Sequence, residues 1–393
     1  MEREKVTSLE MSTANRMDYI PFSKIRKVLE KVLQRERDGE PIIHLEVGLP
    51  DFDTPQHIKD ACIEAMNRGE VNYTSNYGLL ELRQAISFKL NAANGISYCP
   101  DNEIIVTSGV TEAIYMSMMA LINPGDEVLV MMPAFPAYHA AIKMAGGVPV
   151  EVHLDEKNAF MPDSDAVKAK ITSKTRMMIV NSPCNPTGAV YNRTSLEGLA
   201  KLAVAHNLFV ISDEIYEEMI YGDAEHISMA SLPGMFPRTL TLNGFSKSYA
   251  MTGWRIGYVA APEKLTRALL KVRQYITVCS TSFAQWGALD ALIGDQTCVA
   301  DMVSAFNRRR KLVYSALSSM PAITINEPLG AFYAFPNVSQ LSESPMELAE
   351  YLLDEAKIAL VPWGENHLRI SYANSYDNLE IAMNRLNEAL ERL

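Results

Sequence analysis

The sequence has few cysteines, and they are not spaced as a metal site or a disulfide framework requires. There are five of them, they form no CxxC pair, and their number is odd: Cys62, Cys99, Cys184, Cys279 and Cys298. Structural zinc sites and disulfide scaffolds need paired or closely spaced cysteines. We therefore expect no metal, and we interpret the cysteines as reduced thiols that serve mainly in packing.

Long apolar runs and an excess of positive charge are also lacking. No run of about 18 apolar residues occurs, so we expect no membrane span. The N-terminal stretch MEREKVTSLEMSTANRMDY has no apolar core of a secretory signal, which leaves a cytoplasmic protein as the default expectation. The net charge is −11, and a field of that sign repels nucleic acids and anionic lipids. Neither is expected as a partner.

Short β-rich runs alternate with helical stretches over much of the 393 residues. Strands of continuous Val, Ile and Leu that alternate with helices are typical of a mostly parallel sheet covered on both faces. The strand candidates are 103–109, 126–133, 147–154, 175–183, 208–214, 239–246 and 254–261. We predict an α/β fold with a large domain at 45–285. A smaller α+β domain is predicted from both chain ends, at 1–44 and 286–393.

Several local features of this organisation can be predicted as well. Thr194 is a plausible N-cap for a helix over 194–207, with Glu197 as its capping-box partner. The opening helix at 25–39 is expected to pack on the C-terminal part of the chain. That part contains three short strand candidates, at 322–327, 330–336 and 367–373.

Polar residues follow four of the predicted strands, at 108–111, 181–188, 213–216 and 246–247. Ligands of such sheets bind beyond the carboxyl ends of the strands, so one cleft could hold all four groups. A lysine there, Lys247, would lose hydration, and its lowered pKa would free the amine as a nucleophile. Taken alone, a lysine in a loop is more often a solvent-facing group.

Seven ordered motifs carry a family resemblance that reverses these odds. They are GLPDFDTP (48–55), NYTSNYGLLELRQAI (72–86), SGVTEAI (108–114), NSPCNPTG (181–188), SDEIYEE (212–218), FSKSYAMTGWRIGY (245–258) and GAFY (330–333). The sequence resembles the class I/II aminotransferases, which are fold type I enzymes dependent on pyridoxal 5′-phosphate, and the resemblance runs from about residue 20 to residue 373. It implies that fold, with a mostly parallel central sheet, helices on both faces and a smaller α+β domain.

The resemblance implies roles for the residues around the cofactor ring. Lys247 matches the Schiff-base lysine, whose amine later becomes the base that moves the substrate Cα proton. Asp213 matches the carboxylate paired with the pyridine nitrogen, although an Asp there could also be a helix N-cap. Asn185 and Tyr216 match the groups that hydrogen-bond the phenolic oxygen, and Asn185 could alternatively be only a turn residue. Phe135 matches the aromatic that stacks on the ring, although it could be core alone.

Other matching positions concern the phosphate of the cofactor. Backbone N–H groups of Gly109, Val110 and Thr111 lie between a strand and a helix, where phosphate is favoured. Arg255 matches the guanidinium that also holds it, with a structural ion pair as the other reading. Ser246 is a further candidate, although the family's usual serine position is Gly244 here. Tyr73 matches a tyrosine that reaches the neighbouring subunit's site, which implies a homodimer with shared active sites.

For the substrate, Arg369 matches the arginine that binds the α-carboxylate with two parallel hydrogen bonds. Gly48, Ile20 and Asn185 match further substrate contacts. The loop before Arg369 is shorter than the family pattern, so Trp363 and its neighbours are expected to alter specificity. Lys143 and Arg273 are the candidate cations for a distal carboxylate, and both are expected to face solvent.

The resemblance leaves three functions to weigh. The leading one is an aminotransferase that moves an amino group from an L-amino acid to a 2-oxo acid by a ping-pong mechanism. A lyase or synthase on the same fold, working by β-elimination or ring closure, is the alternative. A transcription regulator with this domain is disfavoured, because the match begins by residue 20 and the net charge is −11. The amino acid used stays open: a hydrophobic or aromatic side chain, or broad specificity, is at least as plausible as aspartate.

Overall fold

A computed structural model of the chain describes residues 13–20, 22 and 24–393. Parts of the predicted N-terminal segment 1–44, at residues 1–12, 21 and 23, lie outside the described residues. The strands are β1 Ile43–His44, β2 Ile104–Thr107, β3 Glu127–Met132, β4 Val148–His153, β5 Thr175–Asn181, β6 Phe209–Asp213, β7 Thr239–Gly244, β8 Gly257–Ala260, β9 Tyr333–Ala334, β10 Ile358–Ala359, β11 Val361–Trp363 and β12 His367–Ser371.

Twelve α-helices accompany these strands in the described part of the chain. They are α1 Lys24–Arg37, α2 Gln56–Asn67, α3 Leu80–Asn94, α4 Val110–Leu121, α5 Ala137–Met144, α6 Ser164–Lys168, α7 Arg193–Ala205, α8 Glu263–Arg273, α9 Ser282–Ile293, α10 Thr297–Ser318, α11 Pro345–Glu355 and α12 Tyr376–Leu390. Among the described residues, none of the helices has both the length and the apolar character needed to cross a lipid bilayer.

The central sheet has seven strands in the order β2-β8-β7-β6-β5-β3-β4. Strand β8 runs antiparallel to both of its neighbours, and the other pairs are parallel. The expected α/β fold with a mostly parallel sheet is confirmed. The seven strand candidates between residues 103 and 261 all fall on this sheet.

Apolar side chains project from both faces of the sheet, as the continuous apolar runs predict. Along β3, Val128 and Val130 join a cluster with residues of α4, α5 and α8, whereas Leu129 and Met131 join one with residues of α7. Successive side chains of a strand point to opposite faces, so a strand between two helical layers must be apolar at every position. Helices therefore cover both faces of the sheet.

The start of α7 differs from the prediction. Helix α7 begins at Arg193, and its N-cap is Asn192, whose side-chain oxygen accepts a hydrogen bond from the Ser195 backbone N–H at 2.9 Å. The expectation that Thr194 caps the helix was wrong, because Asn192 already satisfies one of the free N–H groups of the first turn. Asn is at least as good an N-cap as Thr.

The chain ends form further packing layers. A large cluster joins α10, α11 and α12 to β9 and β12. Val32 of α1 packs with Ile42, Leu353 and Ala359, so the opening helix lies on the C-terminal part of the chain, as expected. The prediction of a strand at 322–327 was wrong. Among the described residues, the only β-pairing of this stretch is an isolated bridge between Thr324 and Asn337.

Helices α9 and α10 lie where the domain boundary was predicted. Residue 285 falls inside α9, and α9 packs against α2 and α3. Helix α10 begins in that same cluster with Val299 and continues with Met302 and Phe306 into the C-terminal cluster. The division at 45–285 stays a prediction. If two domains exist, α10 is the element that connects their cores.

Candidate active site

Three neighbouring parallel strands end together at one edge of the central sheet. Asn181 at the end of β5 lies opposite Asp213 at the end of β6, and Asp213 lies opposite Leu242 near the end of β7. The Asn181 side-chain amide donates to the Asp213 backbone oxygen at 3.0 Å. Lys247 follows β7 by three residues. Strand order alone therefore brings these polar groups to one place.

The Lys247 amine points towards the opposite wall of this cleft. Its Nζ donates to the backbone oxygen of Gly48 at 2.6 Å and lies 5.8 Å from the ring centroid of Tyr216. The pKa of Lys247 is lowered to about 8, mainly by burial and also by the positive charges of Arg369 and Arg255, whereas Asp213 opposes this shift. A much larger fraction of the amine is therefore neutral and nucleophilic near pH 7 than for a lysine in water.

Asp213 is buried and holds one strong hydrogen bond. The Tyr138 hydroxyl donates to its Oδ2 at 2.6 Å, and the Ile215 backbone N–H donates to Oδ1 at 3.4 Å. Burial raises the pKa of Asp213 to about 6, and the hydrogen bond from Tyr138 opposes that rise. No α-helix begins in the described residues 214–228, which speaks against a helix N-cap as the role of Asp213.

Arg369 of β12 is a buried guanidinium with a free donor. Its Nη1 donates to Asn185 Oδ1 at 3.1 Å and its Nη2 donates to the Glu46 backbone oxygen at 2.6 Å. Its Nε has no hydrogen-bond partner among the described residues, although the side chain is only 1% exposed. A buried charged donor without a partner is costly. A carboxylate ligand would supply the missing acceptor and the missing counter-charge.

Aromatic rings surround this guanidinium. The Arg369 Cζ lies 4.6 Å from the ring centroid of Tyr333 and 5.6 Å from that of Trp363. The Tyr333 hydroxyl is 2.9 Å from the hydroxyl of Tyr216. A Cβ on Gly48 would lie 2.1 Å from the Tyr333 oxygen, so this position requires glycine. Tyr333 ends the GAFY motif, which was the one sequence signal for its place in the site.

A second glycine faces the other arginine. Gly109 is the N-cap of α4 with φ +80°, and a Cβ on it would lie 2.6 Å from Arg255 Nη2. The backbone N–H groups of Val110 and Thr111 begin α4 and have no acceptor within the helix. Arg255 makes no ion pair with the described residues, which speaks against a purely structural pair. The arrangement fits an anion.

A buried polar cluster supports the segment that carries Asp213 and Tyr216. The Glu217 carboxylate accepts hydrogen bonds from Lys89, from Asn243 and, at 2.8 Å, from Asn94. Lys89 and Asn94 belong to α3, and Asn243 belongs to β7. This cluster ties the segment after β6 to two neighbouring elements, and the sequence alone did not reveal it.

Four predicted site residues are placed less tightly. Phe135 is half-buried and packs edge-on against Tyr138, with ring centroids 5.8 Å apart. Ser246 is buried, whereas Ile20 is half-buried beside the short helical turn Asn15–Tyr19. Tyr73 is 85% exposed. The described contacts do not bring Ile20, Ser246 or Tyr73 against Lys247 or Arg369.

The structure corrects one expectation about cations. Arg273 was expected to face solvent but is completely buried, and it donates to the backbone oxygen of Asn76 at 2.9 Å and to Ser280 Oγ at 2.9 Å. Lys143 is half-buried, and its Nζ lies 3.4 Å from the Tyr19 backbone oxygen. The position of Arg273 at the last turn of an amphipathic helix gave no sign that it would turn inward. Nor did the sequence indicate that Tyr138 contacts Asp213.

Comparisons with known proteins agree with this geometry. A family described as aminotransferase class I and II matches residues 40–386. An aspartate aminotransferase of Pyrococcus abyssi is 44% identical, covering 97% of this chain and 98% of the relative. An aromatic-amino-acid aminotransferase of Thermococcus litoralis is 40% identical, covering 97% and 99%. The structure of the Thermus thermophilus aspartate aminotransferase with maleate has a TM-score of 0.92 at 38% identity, covering 96% and 100%.

These relatives also decide between the reactions that the cofactor site left open. They are aminotransferases by name, match over nearly their whole length, and support transamination rather than the lyase or synthase alternative. Enzymes of the family are generally dependent on pyridoxal phosphate. The chain belongs to the class I and II aminotransferase family and is an aminotransferase.

Proposed function

We propose that this enzyme binds pyridoxal 5′-phosphate through Lys247 and moves an amino group from an L-amino acid to a 2-oxo acid in a ping-pong cycle. The observation that carries the proposal is the amine of Lys247, whose pKa is lowered to about 8 in a cleft that also holds Asp213 and Arg369. A neutral amine is needed to attach an aldehyde.

The residues present fit this cofactor. The carboxylate of Asp213 would hold the protonated ring nitrogen, and Phe135 would stack on the ring. Asn185 and Tyr216 would hold the phenolic oxygen. Gly109, Val110, Thr111, Ser246 and Arg255 would hold the phosphate, for which the free N–H groups of α4 are suited. When bound, the cofactor supplies an electron sink for the substrate's Cα electrons.

The protein's own groups would then orient the substrate and move its proton. Arg369 would bind the α-carboxylate through its unpaired Nε and one Nη, with Gly48, Ile20 and Asn185 as further contacts. This would fix the direction of the Cα–H bond. The Lys247 amine, once free, would take the proton from Cα and deliver it to the cofactor carbon on the other side of the substrate nitrogen.

Amino acids with hydrophobic or aromatic side chains are the substrates that the residues around Arg369 favour. The rings of Tyr333 and Trp363 flank Arg369, whereas Arg273 is buried and already bonded. The relatives' names include aspartate and aromatic amino acids, so both classes belong in the test. A homodimer in which Tyr73 reaches the partner's site, and a cytoplasmic location, stay part of the proposal.

The test is the visible absorbance of the purified protein, measured with and without Lys247→Ala. We expect wild type to carry the band of lysine-bound pyridoxal phosphate and the variant to lose it. Wild type should then lose the band on addition of a good amino-acid donor and recover it with 2-oxoglutarate or pyruvate. A panel of donors ranks the side chains. Wild type that takes up no cofactor would contradict the proposal.

A further inference from the structure

The segment 45–48 supplies main-chain oxygen atoms to two cationic side chains of the site, those of Arg369 and Lys247. The oxygen of Glu46 accepts from Arg369 Nη2 at 2.6 Å, and the oxygen of Gly48 accepts from Lys247 Nζ at 2.6 Å. The oxygen of Leu45 accepts from the Ser371 N–H at 2.7 Å, two residues after Arg369. The position of this short segment therefore sets where both cations stand.

Strand pairing holds only the beginning of the segment. Strand β1 pairs with β10 at Ile43 and His44, and the hydrogen bond from the Leu45 N–H to the Ala359 oxygen, 3.0 Å long, extends this ladder by one residue. Residues 46–48 lie beyond the ladder. Other contacts must fix them.

The side chain of Glu46 provides such a contact. It is completely buried, and its Oε1 lies 2.8 Å from Nδ1 of His44. The other ring nitrogen of His44 lies 2.8 Å from Oε1 of Glu36 in α1. The hydrogen bond to Glu46 is the largest cause that raises the pKa of His44 to about 9; burial opposes it, and Glu36 adds to it. At neutral pH, His44 is therefore a cation between two carboxylates.

We propose that Glu36, His44 and Glu46 are positioning residues for the substrate carboxylate. Through the backbone of segment 45–48, their chain of hydrogen bonds holds the oxygen atoms that aim Arg369 and receive Lys247. This inference rests on the proposed function, because it assigns the binding of the substrate carboxylate to Arg369.

The burial of Glu46 explains why the segment depends on His44. The second carboxylate oxygen, Oε2, has no hydrogen-bond partner among the described residues, so the described structure offers the charge no donor besides His44. A buried carboxylate that loses its cationic partner is strongly destabilised. The side chain would then move towards water and carry its own backbone oxygen away from Arg369.

The experiment replaces His44 with glutamine, His44→Gln, in the enzyme loaded with pyridoxal phosphate. The dissociation constants of 3-phenylpropionate and succinate, which lack an amino group, are measured from the change in visible absorbance. We expect both constants to rise about tenfold, since misaimed charged hydrogen bonds weaken binding by about that factor. The visible band itself should remain. In turnover, KM should rise more than kcat falls.

Two further variants separate positioning from general damage. The control His57→Gln removes a comparable pair, in which Nδ1 of His57 lies 2.5 Å from Oδ2 of Asp290, between α2 and α9. It should leave both constants unchanged. The double variant of His44→Gln with Glu46→Gln should regain most of the affinity, because two amides keep the hydrogen bond without a buried charge.

Each outcome decides the proposal. Unchanged constants in His44→Gln overturn the positioning role alone. If that variant does not fold, Glu36→Gln replaces it, because the Glu36 side chain is 36% exposed and its replacement should disturb the packing little. It should weaken carboxylate binding about two- to threefold, and no change again overturns the role. A wild-type enzyme that binds neither pyridoxal phosphate nor a carboxylate overturns the proposed function, and the positioning role with it.

Discussion

At the scale of single residues, the site is governed by how buried polar atoms find partners. The buried carboxylate of Asp213 accepts a hydrogen bond from the Tyr138 hydroxyl, whereas Nε of Arg369 has no acceptor in the described protein. Buried polar atoms are normally paired, so an unpaired one beside a cleft points to a ligand. Asp213 therefore has a hydrogen-bond donor within the protein, whereas Nε of Arg369 needs an acceptor that the substrate would supply.

Replacing Tyr138 with phenylalanine, Tyr138→Phe, tests this preparation of Asp213. The lost hydrogen bond favoured the carboxylate, so its pKa should rise further above about 6. Activity that needs the ionised carboxylate should then fail at a higher pH as the solution is made acidic. We expect the acid limb of the kcat profile to move up by about one pH unit.

A matched variant is Tyr98→Phe, which removes another buried hydroxyl, 3.3 Å from Thr241 Oγ1. Its acid limb should coincide with that of wild type. An acid limb in Tyr138→Phe that also coincides with wild type would show that the hydroxyl does not act on Asp213.

At the scale of elements, the helix and strand ends carry the chemistry. The strands could be predicted from sequence because short runs rich in Val, Ile, Leu and Met alternate with helical stretches, and the ends of parallel strands then had to meet. The motifs placed Lys247 just beyond such an end, and they identified Arg369, which lies inside β12. What could not be predicted were contacts between side chains distant in sequence, such as Tyr138 with Asp213 or Lys89 with Glu217. The cap of α7 was missed because Asn192 and Thr194 are both good capping residues two positions apart.

Gly109→Ala tests the start of α4 as an anion site. The new Cβ would lie 2.6 Å from Arg255 Nη2 in a backbone with φ +80°, so the guanidinium must move away. We expect the affinity for pyridoxal phosphate to fall about tenfold or more, measured by fluorescence titration of cofactor-free protein. Gly125→Ala is the control, because Gly125 has φ +86° and, apart from its chain neighbours, no atom of the described residues lies within 4 Å of the added Cβ. Equal losses in both variants would assign the effect to backbone strain alone.

The two candidate caps of α7 can be separated by their stability effects. Asn192→Ala removes the hydrogen bond to the Ser195 N–H and should lower the free energy of unfolding by about 1 kcal/mol. Thr194→Ala lies inside the first turn and should change it by less than about 0.5 kcal/mol. Urea unfolding followed by circular dichroism measures both. The reverse order of effects would restore Thr194 as the cap.

At the scale of the whole molecule, α10 joins the packing under the central sheet to the packing of the C-terminal elements. Arg309 of this helix makes a bidentate ion pair with Asp51, at 2.6 and 2.9 Å, three residues after Gly48. Phe306 packs against Phe52 and Phe332, with ring centroids 5.5 and 5.3 Å away. The helix therefore contacts the segment that follows Gly48 and the ring next to Tyr333. Because α10 also belongs to both the cluster with α2, α3 and α9 and the C-terminal cluster, these two clusters should unfold together.

Phe306→Ala should test this coupling. The ring is completely buried, so its removal should destabilise the protein by about 3–5 kcal/mol. Because α10 belongs to both clusters, circular dichroism and the visible absorbance of bound cofactor should still change at one temperature. Ile381→Ala, at a side chain that is 43% exposed, should shift that temperature little. Two separate transitions in Phe306→Ala would show that the clusters unfold independently.

The main-chain contacts of segment 45–48 have a consequence for how this enzyme can diverge. Substitution cannot delete a carbonyl oxygen, so Arg369 and Lys247 keep their acceptors whichever side chains stand at Val47 and Leu49. Leu49 is 45% exposed and can accept many replacements. Gly48 cannot, because of the Tyr333 hydroxyl. Substitutions at positions 47 and 49 could therefore change the substrate preference during evolution, while the geometry around the reacting carbon stays the same.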